Sequence, residues 1–352
     1  MAIPGDGVGP ELVAAAQRVI AAAGVAIEWD TQRAGRAAVD AGDVPLPERV
    51  LEAIRTAGAA LKGPLETGTA GEFRSPNLDL RQKLGLYAQV RPVRTWPGVP
   101  GVWRGVDLAV VRETTEGLYA GVEFPPGDRV TRELVEWLGA HDRRLPLDSG
   151  LTISVTSPGS VRRLVEFAFD YAAARRRRRV TAVHKASAMP STDGLFLAVA
   201  AEVAGGHPAI EFEEILVDRL AMELVRDPRR FDVLVAPSLH GDVVSDLAAG
   251  LVGGTGLAPG GSYGGGIAVF EAAHGIVRSR IGTGAANPLA MILSGAMLLG
   301  HLGMDGPAAS IERAVATVLA DGGAVTSDLV PGSTATTAEV VEAVVMALST
   351  AG

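Results

Sequence analysis

Short apolar runs alternate with helix-period segments along most of this chain, and that rhythm constrains its fold more than any other feature. Candidate strands are "AALK" (59–62), "DLAVVR" (107–112), "LTISV" (151–155), "VTAVHK" (180–185), "FEEILV" (212–217) and "DVLVA" (232–236). Between them lie stretches such as "PELVAAAQRVIAAAG" (10–24) and "SVRRLVEFAFDYAAA" (160–174). Pro10 suits a first helical turn, where its missing N–H costs nothing, and Gly24 suits a helix stop. Such alternation implies an α/β fold with a mainly parallel sheet. With 352 residues, the chain suits two domains or one large α/β unit. Segment 122–150 breaks the rhythm. Pro125, Pro126, Gly127 and Pro146 surround one candidate helix at 130–141, so it reads as an insertion or arm. The glycine-rich "GGTGLAPGGSYGGG" (253–266) reads either as a flexible loop or as backbone that closely approaches a ligand.

Composition narrows the function classes. A net charge of −8 argues against a broad nucleic-acid footprint and leaves any anion binding to local arginines. The absence of cysteine excludes disulfides, thiolate metal sites and a cysteine nucleophile. It also fits a reducing compartment. "MAIPGDGVGP" lacks the basic and apolar regions of a secretory leader. No apolar stretch approaches the roughly 20 residues of a membrane span. The expectation is a soluble cytoplasmic protein with no membrane partner. The run Arg175–Arg179 follows a helical pattern without interleaved aromatics, so it reads as helix-terminal charge rather than a nucleic-acid patch.

Two nucleotide-binding signatures are missing. "GDGVG" offers Gly5, Gly7 and Gly9 but continues with Pro10, so it is not the G-x-G-x-x-G of a Rossmann fold, and no P-loop occurs. Other residues carry more chemistry. In "LHGDVVSDLAAG" (239–250), Asp242 and Asp246 stand four apart. On a helix they share a face and repel unless something positive lies between them. A solvated face is the ordinary outcome; a divalent cation such as Mg²⁺ or Mn²⁺ is the sharper one. Arg74, Arg81, Arg91 and Arg94 crowd "RSPNLDLRQKLGLYAQVRPVR" (74–94), with Ser75 and Asn77 among them. Guanidinium forks suit carboxylates. Arg112, Lys185 and Asp218 lie at the ends of candidate strands, with Tyr119 in the loop after Arg112. Strand ends are where open α/β sheets place ligands. Each residue alone could be a structural ion pair.

Together these segments resemble the metal-dependent β-decarboxylating dehydrogenases, the isocitrate and 3-isopropylmalate dehydrogenase family. The resemblance runs through "IPGDGVGPELV", "LKGPLETG", "DLRQKLGLYAQVRPVR", "VRETTEGLYAGVEF", "VTAVHKASAM", "DVLVAPSLHGDVVSDLAAGLVGG", "VFEAAHG" and "ANPLAMILSGAMLLGHLG", in that order. It implies a two-domain fold with a large mixed, mainly parallel sheet. Residues 1–93 plus 250–352 would form the cofactor domain, and residues 94–249 the smaller domain with the dimer interface and arm. By the same resemblance, Arg81, Arg91 and Arg112 clamp substrate carboxylates. Tyr119 donates a proton, Lys185 acts as base, and Asp218, Asp242 and Asp246 hold the metal. The family's lysine and one aspartate reach into the partner's site, which implies a homodimer with shared active sites. The implied reaction oxidises a 2-hydroxy acid carrying a C3 carboxylate and then releases CO₂.

Ser75 and Asn77 occupy the places where the family reads the substrate's variable arm. A serine and an asparagine suit the extra carboxylate of isocitrate, and "TAVHKASAM" and "DGLF" are similar to the NAD-type isocitrate enzymes. Leaving such groups unpaired against an apolar arm costs roughly 1–3 kcal/mol each. Isocitrate is therefore the leading expectation. Homoisocitrate, isopropylmalate, tartrate or malate, or a phosphonate analogue remain alternatives. For the cofactor, Glu271, His274, Gly275, Asn287 and Asp328 match family positions. Ser279 replaces the usual NAD-type aspartate, with Arg278 and Arg280 beside it, which would tolerate a 2′-phosphate. "TSDLVPG" (326–332) lacks the tyrosine and arginine of the NADP class, so NAD is favoured and NADP stays open. Three further departures are a first strand clipped to "MAI", an unusual arm, and Ser262 in place of an asparagine. A non-catalytic regulatory chain is the competing expectation, although the lysine, tyrosine and aspartates are all present.

Overall fold

The computed structural model describes residues 1–68 and 72–350. Its strands are β1 (Ala2–Ile3), β2 (Ala59–Lys62), β3 (Ala88–Arg94), β4 (Asp107–Glu113), β5 (Gly117–Phe124), β6 (Leu151–Val155), β7 (Arg179–His184), β8 (Glu211–Leu216), β9 (Val233–Ala236), β10 (Pro259–Gly264) and β11 (Ile267–Ala272). Nine form one sheet in the order β1-β2-β11-β10-β3-β4-β9-β7-β8, and β5 pairs with β6 apart from it. Both flanks of the large sheet are parallel. The pairs β11–β10, β10–β3 and β3–β4 in its middle are antiparallel. The fold is thus the expected α/β type with a mixed, mostly parallel sheet. All four residues of β9 are buried. Helices cover both faces there, so the strand reads as a continuous apolar run rather than an alternating one.

The helices form two outer layers. On the β1–β3 flank, Gly9–Ala22, Leu289–His301, Asp305–Asp321 and Thr337–Thr350 build the largest apolar cluster. On the β4–β8 flank, Pro158–Ala174 and Asp193–Ala204 cover one face. Val217–Arg226 and Ser238–Leu251 cover the other. Leu289–His301 is apolar almost all round because it lies beneath other helices. Among the described residues, no helix is long and apolar enough to cross a membrane.

Two expectations need correction. The glycine-rich 253–266 segment is not a loop: its second half is β10, buried in the middle of the sheet. The β10–β11 hairpin turns on Gly265 and Gly266, at φ of 59° and 76°. Two positive-φ residues are what a two-residue primed turn requires. The glycines hid the strand because they carry no side-chain periodicity. Tyr119 likewise lies on β5, not in a loop. The arm consists of β5, the helix Arg129–Ala140 and β6. Asp128 caps that helix by accepting the Val130 N–H.

Candidate active site

The β9 strand leads through Pro237 into the helix Ser238–Leu251, which carries Asp242 and Asp246 on one face. This helix lies very close to β4. A Cβ on Gly241 would sit 2.3 Å from the Arg112 Cβ. Glycine before Asp242 therefore lets the helix and strand approach until Arg112 and Asp242 meet. Arg112 Nη1 lies 2.9 Å from Asp242 Oδ1, and its Nε donates to Gln89 Oε1 at 2.7 Å. The antiparallel β3–β4 register sets Gln89 directly opposite Arg112.

The positive group between the two aspartates is Arg91. Its Nη1 lies 2.5 Å from Asp246 Oδ1 and 3.7 Å from Asp242 Oδ1, and donates to Ser245 Oγ at 2.7 Å. Its Nε is buried without a hydrogen-bond partner. Tyr119 reaches in from β5 and donates its hydroxyl to Asp242 Oδ2 at 2.5 Å. Burial, and then the Asp242 carboxylate, push the Tyr119 phenol above its ordinary value, so it keeps its proton at neutral pH. Burial works against ionised Asp242, but Arg112, Tyr119 and Arg91 outweigh it and hold the carboxyl low. Burial, Arg91 and Arg81 bring Arg112 down to about 10, which leaves it charged near neutrality.

Arg91, Arg112, Tyr119 and Asp242 line one cleft of about 320 Å³ with Ser75, Asn77, Arg81, Glu271, His274 and Gly275, and Asp246 stands behind Arg91 at its edge. Ser75 is the N-cap residue of the helix Pro76–Lys83, yet its side chain makes no capping bond. A capping serine ordinarily stabilises a helix by about 1 kcal/mol. Here Ser75 Oγ accepts from Thr67 Oγ1 at 3.4 Å, and its own proton is left for the cleft. Asn77 is oriented by a residue that the sequence did not single out. Lys62, fully buried at the end of β2, donates to Asn77 Oδ1 at 2.9 Å and Gly63 O at 3.0 Å, and lies 2.5 Å from Glu271 Oε2. An ammonium only donates, so it fixes the Asn77 oxygen and turns the amide NH₂ outward, where one N–H reaches Leu65 O at 3.4 Å and the other is left as a donor. A donor suits a carboxylate arm. Lys62→Met should raise KM for an anionic-arm substrate about tenfold, the scale of one charge-assisted hydrogen bond, with cofactor KM unchanged. Steady-state kinetics with both substrates varied would check this; equal change in both KM values would count against it.

Glu271, expected to be a cofactor residue, has both oxygens committed elsewhere. Oε2 meets Lys62, and Oε1 lies 2.6 Å from Arg81 Nη2. A second groove beside the cleft is lined by Thr255, Gly256, His274, Arg280, Asn287 and Asp328. Gly256 brings the backbone close to this groove, where a Cβ would stand 2.6 Å from Asp328 Oδ2. Asn287 Nδ2 donates to that same oxygen at 2.9 Å. Arg280 donates to Ser327 Oγ at 2.8 Å, whereas Arg278 pairs with Glu66 at 2.5 Å. Ser279 is exposed. His274 Nδ1 lies 3.0 Å from Gly275 O, which can only accept, so Nδ1 carries the proton. Nε2 is then a bare acceptor, buried without a partner. Burial lowers the His274 pKa and keeps the ring neutral. An orphaned acceptor in a groove fits an N–H donor of a nucleotide base.

Lys185 and Asp218 do not line this cleft. Lys185 follows β7, Asp218 lies in the first turn of Val217–Arg226, and Lys185 Nζ is 2.7 Å from Asp218 Oδ1. Lys185 holds the Asp218 carboxyl below its usual value. Among the described residues, no three acidic or histidine side chains gather into a metal cage within one chain. The structure thus brings Asp242 and Asp246 together and leaves Asp218 apart. Nothing in the local sequence singled out Gln89, Ser245 or Asp193. Lys62 did carry a signal: a charge ending an apolar strand, the same rule that found Arg112. The "GDG" motif is a structural anchor, since Asp6 accepts the N–H groups of Arg36, Ala37 and Glu66. In the arginine run, Arg177 pairs with Asp107 and Asp232, and Arg179 with Glu211.

Comparison with known proteins bears on the family. The family model described as isocitrate/isopropylmalate dehydrogenase matches residues 1–344. A mitochondrial protein of Arabidopsis thaliana, named as a catalytic chain of NAD isocitrate dehydrogenase, is 42% identical, across 97% of this chain and 86% of its own. A mitochondrial protein of Dictyostelium discoideum, named as a regulatory chain of NAD isocitrate dehydrogenase, is 40% identical, across 93% and 86%. The crystal structure of isocitrate dehydrogenase from Methylococcus capsulatus superposes with a TM-score of 0.91 at 45% identity, covering 99% of this chain and 98% of that one. This chain belongs to the isocitrate/isopropylmalate dehydrogenase family.

Proposed function

We propose that the protein catalyses oxidative decarboxylation of a 2-hydroxy acid with a carboxylate on C3, isocitrate foremost, using NAD and Mg²⁺ or Mn²⁺. The observation that carries this reading is the convergence of Arg81, Arg91 and Arg112 in one cleft with an unpartnered Arg91 Nε. A buried donor without a partner costs about 1–3 kcal/mol, which a substrate carboxylate would relieve. Carboxylate oxygens suit a hard divalent cation, with Asp242 and Asp246 from one chain and Asp218 from a second copy. When bound, the cation supplies Lewis acidity at the substrate's C2 oxygen and carboxylate, and the nicotinamide supplies the hydride acceptor.

The chain's own residues do the rest. Arg81, Arg91 and Arg112 orient the carboxylates and keep the carbon framework in register. The partner subunit's Lys185 takes the C2 hydroxyl proton as the alcohol is oxidised. After the bond from C3 to its carboxylate breaks, Tyr119 returns a proton to C3. Its raised proton affinity leaves it loaded for that task.

A homodimer with shared sites is supported by where apolar side chains are exposed. Met222 and Val225 lie on the helix carrying Asp218, and Leu239 and Val243 on the helix carrying Asp242 and Asp246. Pairing two copies through these helices would cover apolar surface and bring the separated acids together. NAD is favoured because segment 326–332, which brings Asp328 to the groove, carries neither tyrosine nor arginine to hold a 2′-phosphate. The relatives' names also specify NAD. Arg280, on the same groove, works the other way.

The test is nicotinamide reduction with Mg²⁺ across isocitrate, homoisocitrate, isopropylmalate, malate and tartrate, each with NAD and NADP. Isocitrate with NAD should give the highest kcat/KM. Isopropylmalate in first place would mean that Ser75 and Asn77 do not read the arm. Silence with every substrate would favour a regulatory chain, as the Dictyostelium relative is named.

A further inference from the structure

Asp193 has no role in the chemistry above, yet it is buried, with only 4% of its surface exposed. It opens the helix Asp193–Ala204, after Thr192, whose side chain does not cap. An acidic residue in a first turn ordinarily faces solvent and complements the helix dipole. This one turns inward. Its Oδ2 accepts the backbone N–H of Lys185 at 2.6 Å, across the whole loop between β7 and the helix. The same oxygen lies 3.4 Å from Nδ1 of His240, which is otherwise without a partner. His240 stands on the Ser238–Leu251 helix, two residues before Asp242. One carboxylate oxygen thus touches the backbone of one half of the proposed site and the helix that carries the other half.

The loop is held from its other side as well. Lys185 O accepts from Ala188 and Met189, and Met189 O accepts from Asp193 and Gly194. Ala186 donates to His184 Nδ1. The Lys185 backbone is therefore fixed at both N–H and C=O, while its side chain stays partly exposed and reaches Asp218. Catalytic groups work when the chain beneath them is held by buried hydrogen bonds. We infer that Asp193 is the positioning residue for Lys185, fixing the backbone from which the ammonium projects into a partner's cleft. This rests on the shared-site reading of Lys185.

The competing role is support of the chain's own Asp242 through His240. Paired variants separate the two. In a dimer with shared sites, a K185A chain beside a Y119F chain forms one intact site, so the isolated heterodimer should recover about half of wild-type activity. That control tests shared sites alone. If Asp193 acts through Lys185, a D193A chain should recover activity beside Y119F and none beside K185A. Recovery beside K185A alone would assign Asp193 to its own helix and overturn the inference. Recovery beside neither, with the control intact, would reduce Asp193 to a general structural role.

The homodimeric variants give a second reading that does not depend on shared sites. D193A should lose about 10–100-fold in kcat, the scale of a misplaced catalytic group, with cofactor KM unchanged. D193N keeps an oxygen for the Lys185 N–H and should stay within about fivefold of wild type. Wild-type kcat in D193A, or equal loss in D193N and D193A, would overturn the inference. Should D193A fail to fold, Asp193→Ser, too short to reach the N–H, takes its place in both arms. A failed control with the D193A and D193N pattern as expected would sink the shared site and leave the positioning of Lys185 standing.

Discussion

Replacing Lys185 by methionine is expected to lower kcat by about 10²–10⁴-fold, the range for losing a positioned general acid or base. The side chain is 30% exposed and its partner Asp218 is 63% exposed. An exposed pair of this kind contributes little to stability. Methionine keeps the length and apolar stem and removes only the ammonium. The melting temperature should therefore hold while turnover collapses. Substrate KM should change far less than kcat, because Arg81, Arg91 and Arg112 remain in place. Steady-state kinetics beside a thermal melt would decide it. A variant keeping about a tenth or more of wild-type kcat would remove Lys185 from the chemistry. It would also leave the ion pair with Asp218 as the whole of its role.

The second large effect is on stability. Glu271 bridges two buried cations, Lys62 and Arg81, at 2.5 and 2.6 Å. Glu271→Gln keeps the shape and strands both positive charges. Breaking one side of a buried ion pair costs about 3–5 kcal/mol, so Tm should fall on the order of 10 °C. The loss should depend on pH in a set direction. Burial alone would raise the Glu271 carboxyl, but Lys62 and Arg81 overcome it and hold the group well below the usual carboxylate range. A carboxyl whose folded pKa is depressed stabilises the fold fully above its unfolded value, 4.5, and progressively less as pH falls below it. The gap in unfolding free energy between wild type and Glu271→Gln should therefore be largest near neutrality and narrow toward about pH 3. A gap that stayed constant over that range would mean that packing, rather than charge, is what the glutamine disturbs.

Much of the fold was legible along the chain. β2, β4, β6, β7, β8 and β9 announce themselves as apolar runs, most of them because helices bury both faces of the sheet flanks. The strands that escaped notice have identifiable reasons. β10 is made largely of glycine and small residues, so no periodicity marks it. β3 carries Gln89, Arg91 and Arg94, which read as surface chemistry until antiparallel pairing places the first two inside. Tyr119 seemed to belong to a loop because β5 pairs only with β6, whose partner status depends on the chain returning after the arm.

The local spacing of residues determined that Asp242 and Asp246 share a helical face, that guanidinium groups are plentiful near Ser75 and Asn77, and that strand ends carry charge. Those are properties of short segments, set by helical geometry and strand length. Which charges actually meet was decided only by tertiary structure. Arg91 lies between the two aspartates because β3 runs antiparallel to β4 beneath their helix, and Gly241 removes the atoms that would have held helix and strand apart. Lys62 faces Glu271 because β2 and β11, distant in sequence, align in parallel register. The same packing leaves Asp218 and Lys185 outside the cleft. Electrostatic partnership depends on distances of a few ångströms between remote segments, and those distances come into being only when the sheet closes its register.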